Sequence, residues 1–545
     1  MIRRMSISLL TVVALLAIVS VVCQAESLPL LTRHVREVTV NGQAPSIGRL
    51  PATQSMRIDI VLPLRDQAGL DRFLQAVYDP SSPLYRQFLT VREFTQRFGP
   101  TRSQYDSLVR FAEANGFTVV GGSRDAMDVQ LKGSVENIES TFHVNLGVYQ
   151  HPTENRNFYA PDREPTIDLP FQLWHITGLD NYSIPRPALA RNPDPAHSKA
   201  TTGSCPDQSF CGSDMRGAYY GGSALTGSGQ NIGLLEYAGF DITDVNTYYK
   251  NAGQTRTATV TGISTDGTPL SCLYPVCDDT EQTIDITQAL GMAPGVTTVY
   301  MYVGSSDTAL LGAMSSDTPL PAQLSASWIW SPSDPSTDDP YFMKMASQGQ
   351  NYFQASGDDG KFNAGYPTWP CDSAYVTSVG GTDLETSSPG GPWMSETAWS
   401  DGGGGYWAPD DILIPSWQKA TAKGCAECSQ TYRNAPDVAA NANFTFYVCA
   451  DQSACSANEY GGTSFAAPMW AGYLALYNQK EAAAGHKSVG FINPAIYRVG
   501  LSAGYDNDFH DITSGSNGYS ATKGYDLATG WGSPKAGNGI VGDDQ

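Results

Sequence analysis

From about residue 205 onward, short apolar runs that read as strands alternate with segments that read as helices. No other feature constrains the fold as strongly. Asn231 to Leu235, Thr298 to Val303, Gln323 to Ile329, Asn351 to Ala355 and Tyr375 to Val379 have strand character. Ile242 to Ala252, Glu281 to Leu290 and Tyr341 to Gln348 have helix character between them. Alternation of this kind, with Gly-rich strand ends, builds an α/β fold around a parallel, doubly wound sheet. Such sheets carry their sites at the carboxyl ends of the strands.

Three further segments precede this one. Arg3 and Arg4 followed by an apolar run from Ile7 to Val22 and by Cys23-Gln24-Ala25 read as a secretory signal peptide over 1–25. Residues 26–183 read as a small α/β domain. Its expected elements are a strand at 56–63, helices at 69–77, 91–98, 101–115 and 135–142, a hairpin at 117–131 and a strand at 144–149. It contains His34, His143, His151 and His175 but no chemical cluster, so a structural or chaperoning role is expected. Residues 184–204 have the Pro, Ala and Asn composition of an exposed linker, open to proteolytic cutting. A C-terminal domain over 205–545 follows.

Composition narrows the partners. The 33 basic residues face 54 acidic ones, a formal charge of −21, which repels phosphate backbones and excludes nucleic acid. A carboxylate-rich chain approaches neutrality in acid and escapes strong positive self-repulsion there. No later run reaches the ~18 apolar residues of a membrane helix. An exported, soluble, monomeric protein working in acid is expected. After Cys23, eight cysteines fall into close pairs, 205 with 211, 272 with 277, 425 with 428 and 449 with 455, leaving Cys371 alone. Export favours local disulfides. A zinc reading of Cys425 and Cys428 lacks a second pair of ligands.

Ser464 stands in Gly461-Gly-Thr-Ser-Phe-Ala-Ala-Pro468, a small-residue turn running into an apolar, helix-compatible segment. Near a helix start, free N–H groups and the positive end of the dipole favour an anionic intermediate on a serine nucleophile. A serine cap before a buried helix is the alternative. The histidines beyond the linker, His486 and His510, both follow Ser464, so the order Asp, His, Ser is impossible, and Gly-x-Ser-x-Gly is absent. Glu281 and Asp285, at i and i+4 on one helix face, offer a carboxylate base and its orienting partner. Their alternative is a solvated acidic face. Asp358, in Ser356-Gly-Asp-Asp-Gly360 after a strand, is either a turn residue or, protonated, a donor to an oxyanion.

Taken together, these stretches resemble the sedolisin family of serine-carboxyl peptidases, with kumamolisin-like character. Val379-Gly-Gly-Thr382, Ala435-Pro-Asp-Val438 and Gly490-Phe-Ile-Asn-Pro494 resemble the family too, and Tyr85 to Phe98 resembles its activation prodomain. The resemblance implies a subtilisin-like catalytic domain after a ferredoxin-like prodomain that acts as intramolecular inhibitor and chaperone. In it Ser464 attacks the scissile carbonyl, Glu281 is the general base held by Asp285, and Asp358 is the oxyanion acid. Glu236 and Trp328 match a supporting network that some acid-active members add. Ser325, Ser327, Gly462 and Thr463 are expected to line the substrate. Ile329 departs from the family's usual Gly and is expected to narrow the region around the substrate residue before the cut or to shift the substrate backbone. One Ca2+ is implied, held by the side chains of Asp511 and Asp526 and the carbonyls of Ile512, Thr522 and Gly524, with His510 only a neighbour. The expected activity is a secreted, acid-acting endopeptidase made as a zymogen, on protein or peptide substrates. A tripeptidyl aminopeptidase on the same site and a binding protein on an inactive peptidase fold are the other readings.

Overall fold

The computed structural model describes residues 27–192, 202–362 and 369–535. The expected signal peptide lies outside the described residues, as does the middle of the linker, 193–201.

The N-terminal domain is a four-stranded antiparallel sheet with helices on one side. Its elements are β1 (Ser55–Val61), α1 (Gln67–Val77), α2 (Val91–Arg97), α3 (Arg102–Ala114), β2 (Thr118–Gly121), β3 (Asp128–Ser134), α4 (Val135–Phe142) and β4 (His175–Thr177). The strand order β2-β3-β1-β4 gives the expected ferredoxin-like topology. Thr90 and Thr101 start α2 and α3 with reciprocal capping boxes, through Glu93 and Gln104, that satisfy otherwise orphaned N–H groups. A hairpin, Leu146–Gln150 with Asn157–Pro161, is inserted between α4 and β4.

The C-terminal domain contains β5 (Asn231–Glu236), α5 (Ile242–Asn251), β6 (Thr259–Ser264), α6 (Thr280–Met292), β7 (Thr298–Val303), α7 (Asp307–Met314), β8 (Gln323–Ala326), α8 (Asp339–Ser347), β9 (Asn351–Ala355), β10 (Thr377–Thr386), β11 (Trp393–Ala398), β12 (Val438–Asn441) and α9 (Thr463–Ala483). The order β6-β7-β5-β8-β9-β10 is parallel throughout. The long β10 then pairs in parallel with β12 along one part and antiparallel with β11 along the rest. Strands β6, β11 and β12 and helix α7 escape the sequence expectation, because their short runs lack clear periodicity.

Two helices lie buried against this sheet. Every residue of α6 is buried, and α9 is buried from Thr463 to Asn478. Helix α9 is apolar on nearly all sides and so belongs in a core, whereas α6 carries Glu281, Gln282, Asp285 and Gln288 into it. Gly472 makes the packing close: a Cβ there would stand 2.6 Å from the carbonyl oxygen of Ala289 on α6. The resemblance motifs outside the site prove structural. Asp437 takes hydrogen bonds from Tyr497, Asn493 and the buried Arg433, tying two of them together beneath the sheet.

The two domains share a core. Leu70, Phe73 and Leu74 of α1 pack in one cluster with Phe342, Met343 and Met345 of α8. Arg86 pairs with Glu481 at 2.7 Å, and Tyr78 donates to Ala346 O at 2.6 Å. Disulfides join Cys205 to Cys211, Cys272 to Cys277, Cys425 to Cys428 and Cys449 to Cys455, which excludes zinc at 425 and 428, while Cys371 is buried outside these four bridges with its Sγ 3.9 Å from Ser356 O. No helix among the described residues is long and apolar enough to cross a membrane.

Candidate active site

The carboxyl end of the central strands gathers the acidic residues around the start of α9. Glu236 closes β5, Asp358 follows β9, and Glu281 and Asp285 project from the first turns of α6. Pro468, inside α9, has no N–H to give the carbonyl of Ser464 one turn earlier. The Ser327 hydroxyl lies 3.4 Å from that carbonyl and donates to Asp285 Oδ1 at 2.7 Å.

Glu236, Asp285 and Glu281 form a buried chain of carboxyls. Trp328 Nε1 donates to Glu236 Oε2 at 3.0 Å. Glu236 and Asp285 lie close enough to shift each other's protonation, and a hydrogen bond between two carboxyls requires a proton between them. Burial, and then the charge of Asp285, push Glu236 well above the usual carboxylate range. Burial pushes Asp285 up to about 8 against the opposing bonds from Ser327 and Glu236. Burial and then Asp285 also raise Glu281, whereas the hydroxyls of Ser464 and Ser327 favour its ionised form. Neither oxygen of Glu281 nor Ser464 Oγ closes a hydrogen bond of full geometry. Like charges this close and this buried cannot all ionise, so the cluster carries few charges at once. The Ser327 hydroxyl, whose one proton goes to Asp285, favours Asp285 as the place for one.

Asp358 faces Ser464 from the other side. Its Oδ1 accepts from Thr463 N at 2.8 Å and from Thr463 Oγ1 at 2.9 Å, and Gly357 N donates to that hydroxyl at 3.0 Å. Its Oδ2 is shielded and without a partner, and burial raises the carboxyl well above its usual range.

Across this site runs the first half of the linker, and here the structure corrects the expectation of an exposed segment. Arg186 and Pro187 pair antiparallel with Ile329 and Trp328, and Ala190 and Arg191 pair antiparallel with Gly461 and Tyr460. Between the two ladders Ala188 N donates to Ser327 O at 2.7 Å, and Ser464 N donates to Ala188 O at 3.1 Å. Ala188 is 3% exposed. Backbone pairing with the cleft walls buries a sequence whose composition suggests solvent.

The expected substrate-lining residues divide accordingly. Gly462 is in place: its φ of +146° suits glycine, and a Cβ there would stand 2.3 Å from Ala188 O and 2.6 Å from Asp358 Oδ2. Ser327 meets the linker through its carbonyl, while its hydroxyl serves Asp285; the Thr463 side chain serves Asp358. Ser325 lies inside β8 with a buried hydroxyl that makes no hydrogen bond. Ile329 pairs with Arg186, two residues before Ala188, and its Cδ1 would be 3.1 Å from a Cβ on Gly357. Sequence reasoning missed Asp359 and Glu459, which face Arg186 and Arg191; adjacency to a motif was their one signal.

Both carboxylates expected to hold calcium bond to the loop between them. Asp511 Oδ1 accepts from Gly524 N at 3.0 Å and from Tyr505 at 3.1 Å. Asp526 accepts from Thr522 N at 2.7 Å and from Ala528 and Thr529. Burial raises Asp511 and brings Asp526 to about 6. Two carboxylates framing a loop of hard carbonyl oxygens fit the donor chemistry of calcium. His510 stacks on Trp393 at 4.0 Å, a structural position.

The family pattern described as Pro-kumamolisin, activation domain, matches residues 43–182. Kumamolisin from Bacillus sp. (strain MN-32) is 29% identical over 94% of this chain and 95% of its own length. Sedolisin from Pseudomonas sp. (strain 101) is 27% identical over 91% of this chain and 88% of its own. The solved structure of Pseudomonas sedolisin, a serine-carboxyl proteinase in complex with pseudo-iodotyrostatin, superimposes with a TM-score of 0.52 at 25% identity, covering 62% of this chain and 96% of that one. Fold and relatives together define a serine-type peptidase of the serine-carboxyl class, with a subtilisin-like sheet behind an activation domain. The chain is similar over nearly its whole length to peptidases of the sedolisin family, and its residues 43–182 carry that family's activation domain.

Proposed function

We propose that this chain is the zymogen of a secreted, acid-acting serine-carboxyl endopeptidase. Ser464 attacks the scissile carbonyl while Glu281 accepts its proton and returns it to the leaving amine. Asp285, oriented by Ser327, holds Glu281. Glu236, anchored by Trp328, stays protonated, so it adds no charge of its own and can donate to Asp285. Protonated Asp358 and the N–H of Ser464 receive the oxyanion, the kind of preorganised donor pair whose loss costs roughly 3 to 4 kcal/mol. Acid keeps Asp358 a donor, and the same burial keeps Glu236 protonated.

One observation carries the endopeptidase reading over the tripeptidyl one. The cleft holds an internal stretch of chain that continues past Arg186, with Ser183 Oγ accepting from Ser331 N at 2.9 Å. A site that counts three residues from a free N-terminus has no room for this continuation. The activation domain that supplies the stretch acts as an intramolecular inhibitor of the cleft. Secretion is supported by the N-terminal segment and the local disulfides. Asp511 and Asp526, with carbonyls of Ile512, Thr522 and Gly524, would hold one Ca2+, which would brace the C-terminal loop.

The test is Ser464-dependent cleavage of peptides with blocked and free N-termini across the acid range, with labelling by a peptide aldehyde. Cleavage that vanishes on blocking defeats the endopeptidase reading. Absence of labelling and cleavage alike defeats the enzyme.

A further inference from the structure

The linker is held across Ser464 as a peptide about to be cut, and this identifies a bond. Of the linker carbonyls, that of Ala188 accepts the Ser464 N–H. The same oxygen and Asp358 Oδ2 crowd the point a Gly462 Cβ would occupy, and the Cα of Leu189 lies 3.0 Å from it. The carbonyl therefore stands between the two oxyanion donors of the proposed mechanism, with Leu189 on the leaving side. Ladders on both sides hold the register, since a one-residue slip would break Arg186–Ile329 and Ala190–Gly461 together. Charged contacts add to this: Arg186 lies 3.6 Å from Asp359, and Arg191 Nε donates to Glu459 Oε1 at 2.7 Å.

The geometry points to Ala188–Leu189 as the bond the zymogen cuts in itself, within one molecule, as the first step of maturation, with the Asp359 and Glu459 carboxylates recognising the flanking arginines. This rests on the peptidase reading given above. In the step, Ser464 Oγ bonds to the Ala188 carbonyl carbon as its proton passes to Glu281. The C–N bond breaks, the proton goes to the Leu189 nitrogen, and an Ala188 ester on Ser464 remains. Water then attacks the ester, Glu281 takes the water proton, and Ser464 recovers its own. The products are an Ala188 carboxylate and a Leu189 amine.

The tether makes the local concentration of this bond millimolar or higher whatever the bulk concentration. The experiment takes the full chain, purified at neutral pH and brought to about pH 4, within the carboxylate titration range. Early samples are read by intact mass and N-terminal sequencing, with Ser464→Ala and Leu189→Pro alongside and an external blocked peptide assayed in parallel. The expected first new N-terminus is Leu189, absent from Ser464→Ala and suppressed at least about tenfold in Leu189→Pro. Its first-order rate constant stays unchanged over a roughly hundredfold dilution. A first cut elsewhere, with the external peptide still cleaved, overturns this bond and leaves the peptidase standing. A rate that falls with dilution overturns the intramolecular step. Failure to cut either substrate overturns the peptidase reading itself.

Discussion

Thr463 gives its backbone N–H and its hydroxyl to the same oxygen of Asp358, at 2.8 and 2.9 Å. With Oδ1 so occupied, a proton on this carboxyl sits on Oδ2, beside the Ala188 carbonyl. On the proposed mechanism the activation step and an acid range of activity would then depend on one proton. As pH rises Asp358 loses it, a donor becomes an anion, and oxyanion stabilisation turns to repulsion.

Asp358→Asn should keep its amide oxygen on Thr463 and turn its NH2 toward the scissile carbonyl. That donor does not titrate, so the fall of activity with rising pH should move upward. Asp358→Ala should lose about 10²- to 10³-fold in kcat. Profiles of kcat against pH decide: an Asn variant with the parental upper limb would assign that limb to another group.

Glu281→Gln removes the proton acceptor and should lower kcat about 10²- to 10⁴-fold. Glu236→Gln can still accept from Trp328 and donate to Asp285, so it should retain most activity with a shifted pH profile. Equal losses in the two variants would contradict the separate roles given to these residues.

Gly462→Ala combines an unfavourable φ of +146° with a Cβ 2.3 Å from Ala188 O. Self-processing should stop, and the binding of a peptide aldehyde should weaken strongly. Normal processing in this variant would show that the carbonyl sits elsewhere during reaction.

Stability should rise on acidification once the N-terminal domain is gone. Burial raises Asp285 to about 8 and Asp339 to about 7, so the folded domain keeps protons that the unfolded chain releases above its ordinary carboxylate range. In that window each such group removes about 1.4 kcal/mol per pH unit as pH rises. His510, lowered to about 4 first by burial, works in the opposite sense, losing stability as pH falls below the ordinary histidine value, but it is one group against several. Calorimetry of the aldehyde-blocked enzyme should give a higher Tm at about pH 4.5 than at about pH 7. A lower one would mean that protonation of other groups dominates.

Chelation should lower Tm, and Ca2+ should restore it better than Mg2+, which binds flexible carbonyl loops poorly. Asp511→Asn should remove most of that response. An unchanged Tm after exhaustive chelation would dismiss the calcium assignment.

Much of this protein follows from local sequence. The i, i+4 spacing put Glu281 and Asp285 on one helix face, the strand at 351–355 fell where its apolar run predicts, and the close cysteines paired as neighbours. These are properties of periodicity and short range, and the chain carries them before it folds. The ferredoxin-like order of β1 to β4 and the subtilisin-like order of the large sheet came through resemblance, since periodicity does not say which strands adjoin.

Only the tertiary structure decided the rest. Glu236 meets Asp285 because β5 and α6 pack together, and burial sets their protons. Ser327 and Thr463 turn their side chains to the carboxyls, leaving backbone atoms for the peptide. Above all, Ala188 rests on Ser464 through backbone hydrogen bonds and strand register. Those bonds form between main-chain groups that every residue possesses, so no side-chain pattern in the linker announces them.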